Sequence, residues 1–249
     1  MITAAALQGL PEVQAGDDLA VLLAGALAGN QPSTDDVLVI AHKVVSKAEG
    51  RTRRLSSVTP DARAIALAQE LGKDPRHVHV VLEETRELRR AAHGVLICVT
   101  HHGFVCANAG VDASNAPDDD TVILLPLDPD ASARALRARL STLLGLGPAV
   151  LITDSFGRAW RHGQCDVAIG CAGLAPLEDW RGRSDARGRE LKATWIAGAD
   201  ELAAAADLAR SKDAMQPAVL VRGAGRYVTA EDGPGAQALL RPHAQDLFR

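Results

Sequence analysis

The sequence predicts a mixed α/β protein, and three observations carry that prediction. The run Ala149-Val150-Leu151-Ile152-Thr153, entered through Gly147-Pro148, is aliphatic and β-branched until its end. Such a run reads as a strand buried on both faces of a sheet. The segment before it, Ala131 to Leu144, sets Leu136, Leu140, Leu143 and Leu144 on one side of an amphipathic helix. Segments of both kinds recur along all 249 residues, with no internal repeat and no low-complexity linker.

Taken in order, Asp17 to Ala28 reads as a helix with Leu19, Leu22, Leu23 and Leu27 apolar and Asp17 as its cap. Val37 to Val45 reads as a strand whose end carries Lys43 and Lys47, followed by a polar connection from Arg51 to Pro60. Pro60-Asp61 opens a helix through Leu71 that Gly72 terminates. Val78 to Arg90 reads as a helix with a basic end. Val95 to Thr100 and Phe104 to Ala107 form a hairpin-like pair, and Thr121 to Leu125 is a further strand before Pro126. After Thr153 come a glycine-rich loop, strands near Val167 to Cys171 and Leu191 to Ile196, a helix from Ala199 to Arg210, and a closing strand, Ala218 to Val221.

Composition bounds the function. A chain that is 47% hydrophobic can bury a substantial core, as one large domain or two small ones. Only 3% is aromatic, so that core must be Ala, Val, Leu and Ile. With 27 basic and 31 acidic residues, the balance argues against a dedicated nucleic-acid binder. No apolar segment approaches the ~20 residues of a membrane span, and Met1 opens no signal peptide, so a soluble cytoplasmic protein is expected. Cys98, Cys106, Cys165 and Cys171 lack Cys-x-x-Cys spacing and read as reduced thiols. His77-Val-His79 and His101-His102 match no metal motif and read as structural or solvated.

Four motifs carry chemistry. At the end of the Ala149 strand stands Asp154-Ser155-Phe156-Gly157-Arg158. Open α/β sheets bind ligands at the carboxyl ends of strands. A carboxylate beside a hydroxyl can ligate a hard cation, and the arginine can neutralise an anion, although a polar turn uses the same residues. Asn108 to Asn115 packs Asp112, Ser114 and Asn115 into a second such site, either a turn or a set of oxygens for magnesium or manganese. Asp112 and Asp154 are the candidate metal pair, since two carboxylates repel unless a cation lies between them. In His42-Lys43 to Lys47, either the lysine heads snorkel to water or one contacts phosphate oxygens. No P-loop and no Gly-x-Gly-x-x-Gly turn occurs. Finally, Arg158 to Gly170 and Asp179 to Glu190 mix arginines, tryptophans and acids. That composition suits an anionic substrate with a flat ring, or an internal Arg–Asp network.

These motifs, with Gly9-Leu-Pro-Glu and Gly16-Asp-Asp-Leu, Val45-Ser-Lys-Ala-Glu-Gly-Arg51, Leu127-Asp-Pro-Asp130 and Pro217 to Gly223, stand in one order along the chain. In that order the sequence resembles the coenzyme F(420):γ-glutamyl ligase family, nearly end to end. The resemblance implies mixed sheets flanked by helices in a single domain over 1–249, assembled as an intertwined homodimer. Two subdomains are expected, about 1–90 plus 150–249 and 91–149. The tail from Leu239 to Phe248 looks like the point where some two-domain relatives continue into a nitroreductase-like domain, which is expected to be absent here.

The resemblance also implies an activity: addition of L-glutamate to F(420)-0, using GTP with magnesium or manganese, potassium assisting some members. Carried over position by position, it makes Asp112, Asp154 and Ser155 the ligands of two divalent ions. GTP contacts fall on Leu10, Pro11, Glu12, Val13, His42, Lys43, Lys47 and Asn115. A second GTP loop falls on Arg210, Ser211, Lys212, Asp213, Ala214, Met215 and Gln216. At Ala41-His42-Lys43 the chain departs from relatives, which carry hydroxyl residues there. Ser155 stands where most members have threonine. Lys47 and Arg158 are placed as catalytic charges offsetting the transferred phosphoryl group, Arg158 from its position alone. Asp166 and Glu190 are the general-base candidates. Two other readings of the same residues stay open. One is a metal-dependent phosphotransferase or phosphohydrolase; the other is a deazaflavin- or nucleotide-binding module without turnover.

Overall fold

The computed structural model describes residues 1–211 and 213–246. Its first half runs β1 (Thr3–Ala6), α1 (Leu19–Leu27), β2 (Val37–Ala41), α2 (His42–Ala48), β3 (Thr52–Arg54), α3 (Ala62–Leu71), α4 (Pro75–Glu83), β4 (Thr85–Ala92), β5 (Val95–Thr100) and β6 (Val105–Ala107). The second runs β7 (Thr121–Ile123), α5 (Pro129–Leu144), β8 (Ala149–Arg158), β9 (Arg161–Ala172), β10 (Glu178–Asp179), β11 (Trp195–Ile196), α6 (Gly198–Leu208) and β12 (Ala218–Arg222). The predicted mixed α/β class is the class observed.

The main sheet has the order β1-β12-β2-β8-β9. Only β2 and β8 run parallel; their neighbours are antiparallel. Period-two alternation gives the sheet two apolar faces. Leu38, Ile40, Val150, Ile152 and Leu220 pack against Leu19, Leu23 and Leu27 of α1 and Leu136 and Leu140 of α5. Val37, Val39, Leu151, Val219 and Val221 pack on the other side against Leu202, Ala203 and Ala206 of α6. Burial of each such side chain contributes about 1.5–3 kcal/mol. A third core joins Ala64, Ala68, Val78 and Val81 of α3 and α4 to Leu96 and Cys98 of β5 in the sheet β4-β5-β6. Where α5 meets β9, a Cβ on Gly170 would lie 2.3 Å from the Pro129 carbonyl oxygen, so only glycine lets the two backbones approach.

Several elements differ from expectation. The cap of α1 is Asp18, which accepts from the Val21 N–H at 3.2 Å, while Asp17 turns back to the Gln14 N–H. The strand expected over Val37 to Val45 ends at Ala41, and His42 to Ala48 is helical. The helix expected to reach Arg90 stops at Glu83, because Thr85–Ala92 pairs with the apolar β5 through two register shifts. Tertiary pairing there overrides helical propensity. The glycine-rich loop after Asp154 is a long hairpin instead: β8 runs on to Arg158 and pairs with β9 down to Arg158↔Arg161. The strand expected over Leu191 to Ile196 contracts to β11, and β1, unassigned from sequence, pairs with β12. Among the described residues no helix is long and apolar enough to cross a membrane.

Candidate active site at the ends of the parallel strands

The parallel register of β2 and β8 sets Ala41 beside Thr153. The next residue on each chain is therefore His42 at the start of α2 and Asp154 in β8. His42 Nε2 lies 3.3 Å from Asp154 Oδ1. His42 is 1% exposed. Its Nδ1 lies 3.2 Å from Ser46 Oγ, one turn along α2. Nε2 itself makes no aligned hydrogen bond among the described residues.

The following residue, Lys43, turns to the second aspartate. Its Nζ donates to Asp112 Oδ2 at 2.6 Å and to Ser114 Oγ at 2.5 Å. Asp112 is fixed by a backbone bridge to Ile123 and by the Ser114 N–H, 2.7 Å from Oδ1. Burial pushes the Asp112 carboxyl up, but the hydrogen bond from Lys43, with those from Ser114, outweighs it and holds the pKa below the ordinary carboxylate value. Further along α2, Lys47, almost fully buried, donates to Glu12 Oε1 at 2.5 Å. Adjacent turns of one short helix thus meet Asp154, Asp112 and Glu12.

Beside Asp154 lies a buried network. Ser155 pairs with Asp166 across the hairpin and its Oγ donates to Asp166 Oδ1 at 2.6 Å. Thr153 Oγ1 donates to Asp166 Oδ2 at 2.8 Å, and Arg210 donates to the same oxygen. Asp166, 1% exposed, accepts from at least three side chains and is poorly placed as a general base. Glu190, the other candidate base, is exposed and bridges Ser184. Sequence reasoning gave Ser46 and Thr153 no role; for the stretch holding Asp166 it offered an internal Arg–Asp network, and the Arg210–Asp166 pair is of that kind. The signal for Asp166 was period-two placement in β9, directly opposite Ser155.

The remaining candidates spread around this centre. Asn115 is exposed with a left-handed φ of 57°, in the loop of Asp112 and Ser114. Leu10 packs on the main core and Val13 is buried, while Pro11 and Glu12 face solvent. Arg210 anchors its loop through Asp166 and through the Pro217 carbonyl at 3.2 Å. Beyond it Ser211, Asp213, Ala214 and Met215 are exposed and Gln216 is half-buried; Lys212 lies outside the described residues. Arg158 is four residues past Asp154, roughly 13 Å along the strand. It is exposed there, and its guanidinium donates to the His162 carbonyl at 2.7 Å.

The profile of the F(420)-0:gamma-glutamyl ligase family matches residues 9–223, a span containing every group of this site. The chain belongs to the F(420)-0:gamma-glutamyl ligase family. A coenzyme F(420):L-glutamate ligase of Methanothermobacter thermautotrophicus is 44% identical over 246 residues, covering 98% of this chain and 97% of the relative. Ligases of the same name from Methanopyrus kandleri and Haloarcula marismortui are 46% and 42% identical, each covering 94% of the relative and at least 96% of this chain.

For an F(420)-0:gamma-glutamyl ligase family member the donor set at the site is chemically apt. Asp112, Asp154 and the Ser155 hydroxyl are hard oxygen donors, suited to magnesium or manganese. Ser155 gives its proton to Asp166, which orients its oxygen as an electron-pair donor. Among the described residues no three His, Cys, Asp or Glu side chains close on one point.

Proposed function

We propose that the protein is a GDP-forming ligase that joins L-glutamate to F(420)-0 in coenzyme F(420) biosynthesis. The observation that carries this reading is the meeting of His42, Lys43 and Lys47 with Asp154, Asp112 and Glu12 where α2 leaves the end of β2 beside the middle of β8. Family membership and the printed names of the relatives support the substrate class. Lys43 and Lys47 are each paired with a carboxylate. A triphosphate can take over both ammoniums, freeing Asp112 to hold a cation.

A carboxylate does not accept an amine at neutral pH, so it must first become an acyl donor. An oxygen of the F(420)-0 carboxylate attacks the γ-phosphorus of GTP, and the bond to the β-phosphate oxygen breaks, releasing GDP. The α-amine of glutamate then adds to the acyl carbon, inorganic phosphate leaves, and the amine gives up a proton as the amide forms. Lys47 and Lys43 hold the phosphate tail and offset its charge. Asp112, Asp154 and Ser155 would hold magnesium or manganese, which would supply charge neutralisation to the phosphates. Arg158 reaches the reacting group only by exchanging its bond to the His162 carbonyl. The family resemblance adds potassium as an activator and a homodimer. The outer half of the β8–β9 hairpin, with Trp160 83% exposed at its tip, supports the latter.

The test is to incubate the protein with F(420)-0, glutamate, GTP and manganese and weigh the cofactor by mass spectrometry. A gain of one or more glutamyl units is expected. GDP without a glutamylated product would instead indicate phosphotransfer or phosphohydrolysis, and neither product would indicate a binding module. Asp154→Asn should abolish metal-dependent turnover with the fold retained; undiminished turnover would remove Asp154 from the mechanism.

A further inference from the structure

Resting on the metal-site reading above, we infer that His42 Nε2 is a protein ligand of the cation held at Asp154, and that it tilts this site toward manganese and cobalt. The ring is 1% exposed and enclosed at the foot of α2. Its Nδ1 is engaged with Ser46 Oγ, which leaves Nε2 as the free nitrogen. That atom faces Asp154 Oδ1 at 3.3 Å, yet it makes no aligned hydrogen bond among the described residues. A buried nitrogen in this situation is costly unless something satisfies it. If Nδ1 donates to Ser46, the Nε2 lone pair points toward a carboxylate oxygen, an electrostatically unfavourable contact. A cation between the two converts repulsion into ligation.

The spacing agrees. Two donors each about 2.1–2.3 Å from one ion and about 90° apart lie about 3.1 Å from each other. The observed separation needs almost no movement to accept the ion. The backbone supports the pair too, since Ala41↔Thr153 register places it and the Ser155 N–H orients Asp154 at 2.8 Å.

Chemistry then sets the preference. Carboxylate and hydroxyl oxygens alone suit magnesium, whereas an imidazole nitrogen raises affinity for later first-row ions. A chain with hydroxyl residues at this point of α2 would lack that nitrogen. His42 is therefore a determinant of metal choice at this site.

The experiment uses the full chain with Mn²⁺ alone, and again with Mn²⁺ and GDP. Pulsed electron paramagnetic resonance detects a nitrogen bound directly to the ion, and ¹⁵N-histidine labelling identifies it. We expect a histidine coupling in the wild type that disappears in His42→Ser and in His42→Asn, the second retaining an oxygen donor of similar size. Calorimetry should show Mn²⁺ binding weakened about tenfold or more in His42→Ser, with Mg²⁺ changed by less than about threefold. Mn²⁺ that binds and is weakened by Asp154→Asn, but shows no histidine coupling, would overturn the role of His42 and leave the metal site standing. Mn²⁺ binding indifferent to Asp154→Asn, or no binding in either condition, would overturn both.

Discussion

The Arg210–Asp166 pair offers the sharpest test of how the site is held together. Its side chains are 9% and 1% exposed, and Asp166 also accepts from Thr153 and Ser155. Arg210→Met keeps the apolar stem of the side chain but removes a buried cation from the Asp166 carboxylate, which keeps its bonds from Thr153 and Ser155. Removing one partner of such a pair costs about 3–5 kcal/mol, most of it the uncompensated charge. For a chain of this length each kcal/mol lowers the melting temperature by about 2–4 °C, so a fall of roughly 6 to 20 °C is expected. Asp166→Asn alone leaves the arginine with only Asp207, at 3.9 Å, as an anionic partner among the described residues and is also destabilising. The double variant Arg210→Met/Asp166→Asn removes both charges of this pair and should melt above the sum of the two single effects. Thermal unfolding followed by circular dichroism reads all four proteins. A fall of under about 2 °C in Arg210→Met, or strict additivity in the cycle, would show that the pair is not the tie argued for here.

Lys47→Met should lower GTP affinity by about tenfold, or ~1.4 kcal/mol, whereas Glu12→Gln, which removes the competing anion, should raise it; calorimetric titration decides. The Asp112 carboxyl is depressed in the fold, so it binds fewer protons native than unfolded. Its stabilisation is therefore present above the unfolded value near ~3.9 and lost as pH falls through the lower native one. The melting difference between wild type and Asp112→Asn should accordingly close below about pH 4. Burial pushes the Cys106 and Cys171 thiols up to about 12, and Cys98 is buried too. A thiol reagent near neutral pH should titrate Cys165 first in the native protein and all four cysteines in denaturant. Gly170→Ala would set a Cβ 2.3 Å from the Pro129 carbonyl and should cost about 1–3 kcal/mol, measured by melting.

Much of the fold was legible because it rests on local patterns. The doubly buried Ala149 run and the Asp61/Gly72 caps of α3 report one segment's own chemistry, and the structure keeps them. Of the α5 stripe it buries Leu136 and Leu140, packs Leu144 partly and leaves Leu143 exposed. What stayed illegible depends on partners distant in sequence. Thr85–Ala92 is polar and basic, and it is a strand only because β5 lies beside it. The Asp154 motif holds the residues of a turn, yet β9 draws it out into a hairpin. The candidate site divides the same way. The acidic and basic groups were visible as types, but nothing in one sequence pairs Lys43 with Asp112, Lys47 with Glu12 or Ser155 with Asp166.

The segment His42–Ala48 is helical for a physical reason. As a strand, Lys43, Val45 and Lys47 would share one face with His42, Val44 and Ser46 on the other, mixing polar and apolar groups on both. At about 100° per residue the helix sorts them instead. With His42 at 0°, Ser46 falls near 40°, Lys43 near 100° and Lys47 near 140°, while Val44, Ala48 and Val45 fall between about 200° and 300°. The apolar arc is the one that packs against the main core. The polar arc is the one that meets Asp154, Asp112 and Glu12. Sheet topology completes the arrangement. Were β2 and β8 antiparallel, their carboxyl ends would lie at opposite margins of the sheet, and His42 could not reach Asp154. The single parallel pairing in an otherwise antiparallel sheet is thus what brings a buried imidazole and a carboxylate to one point.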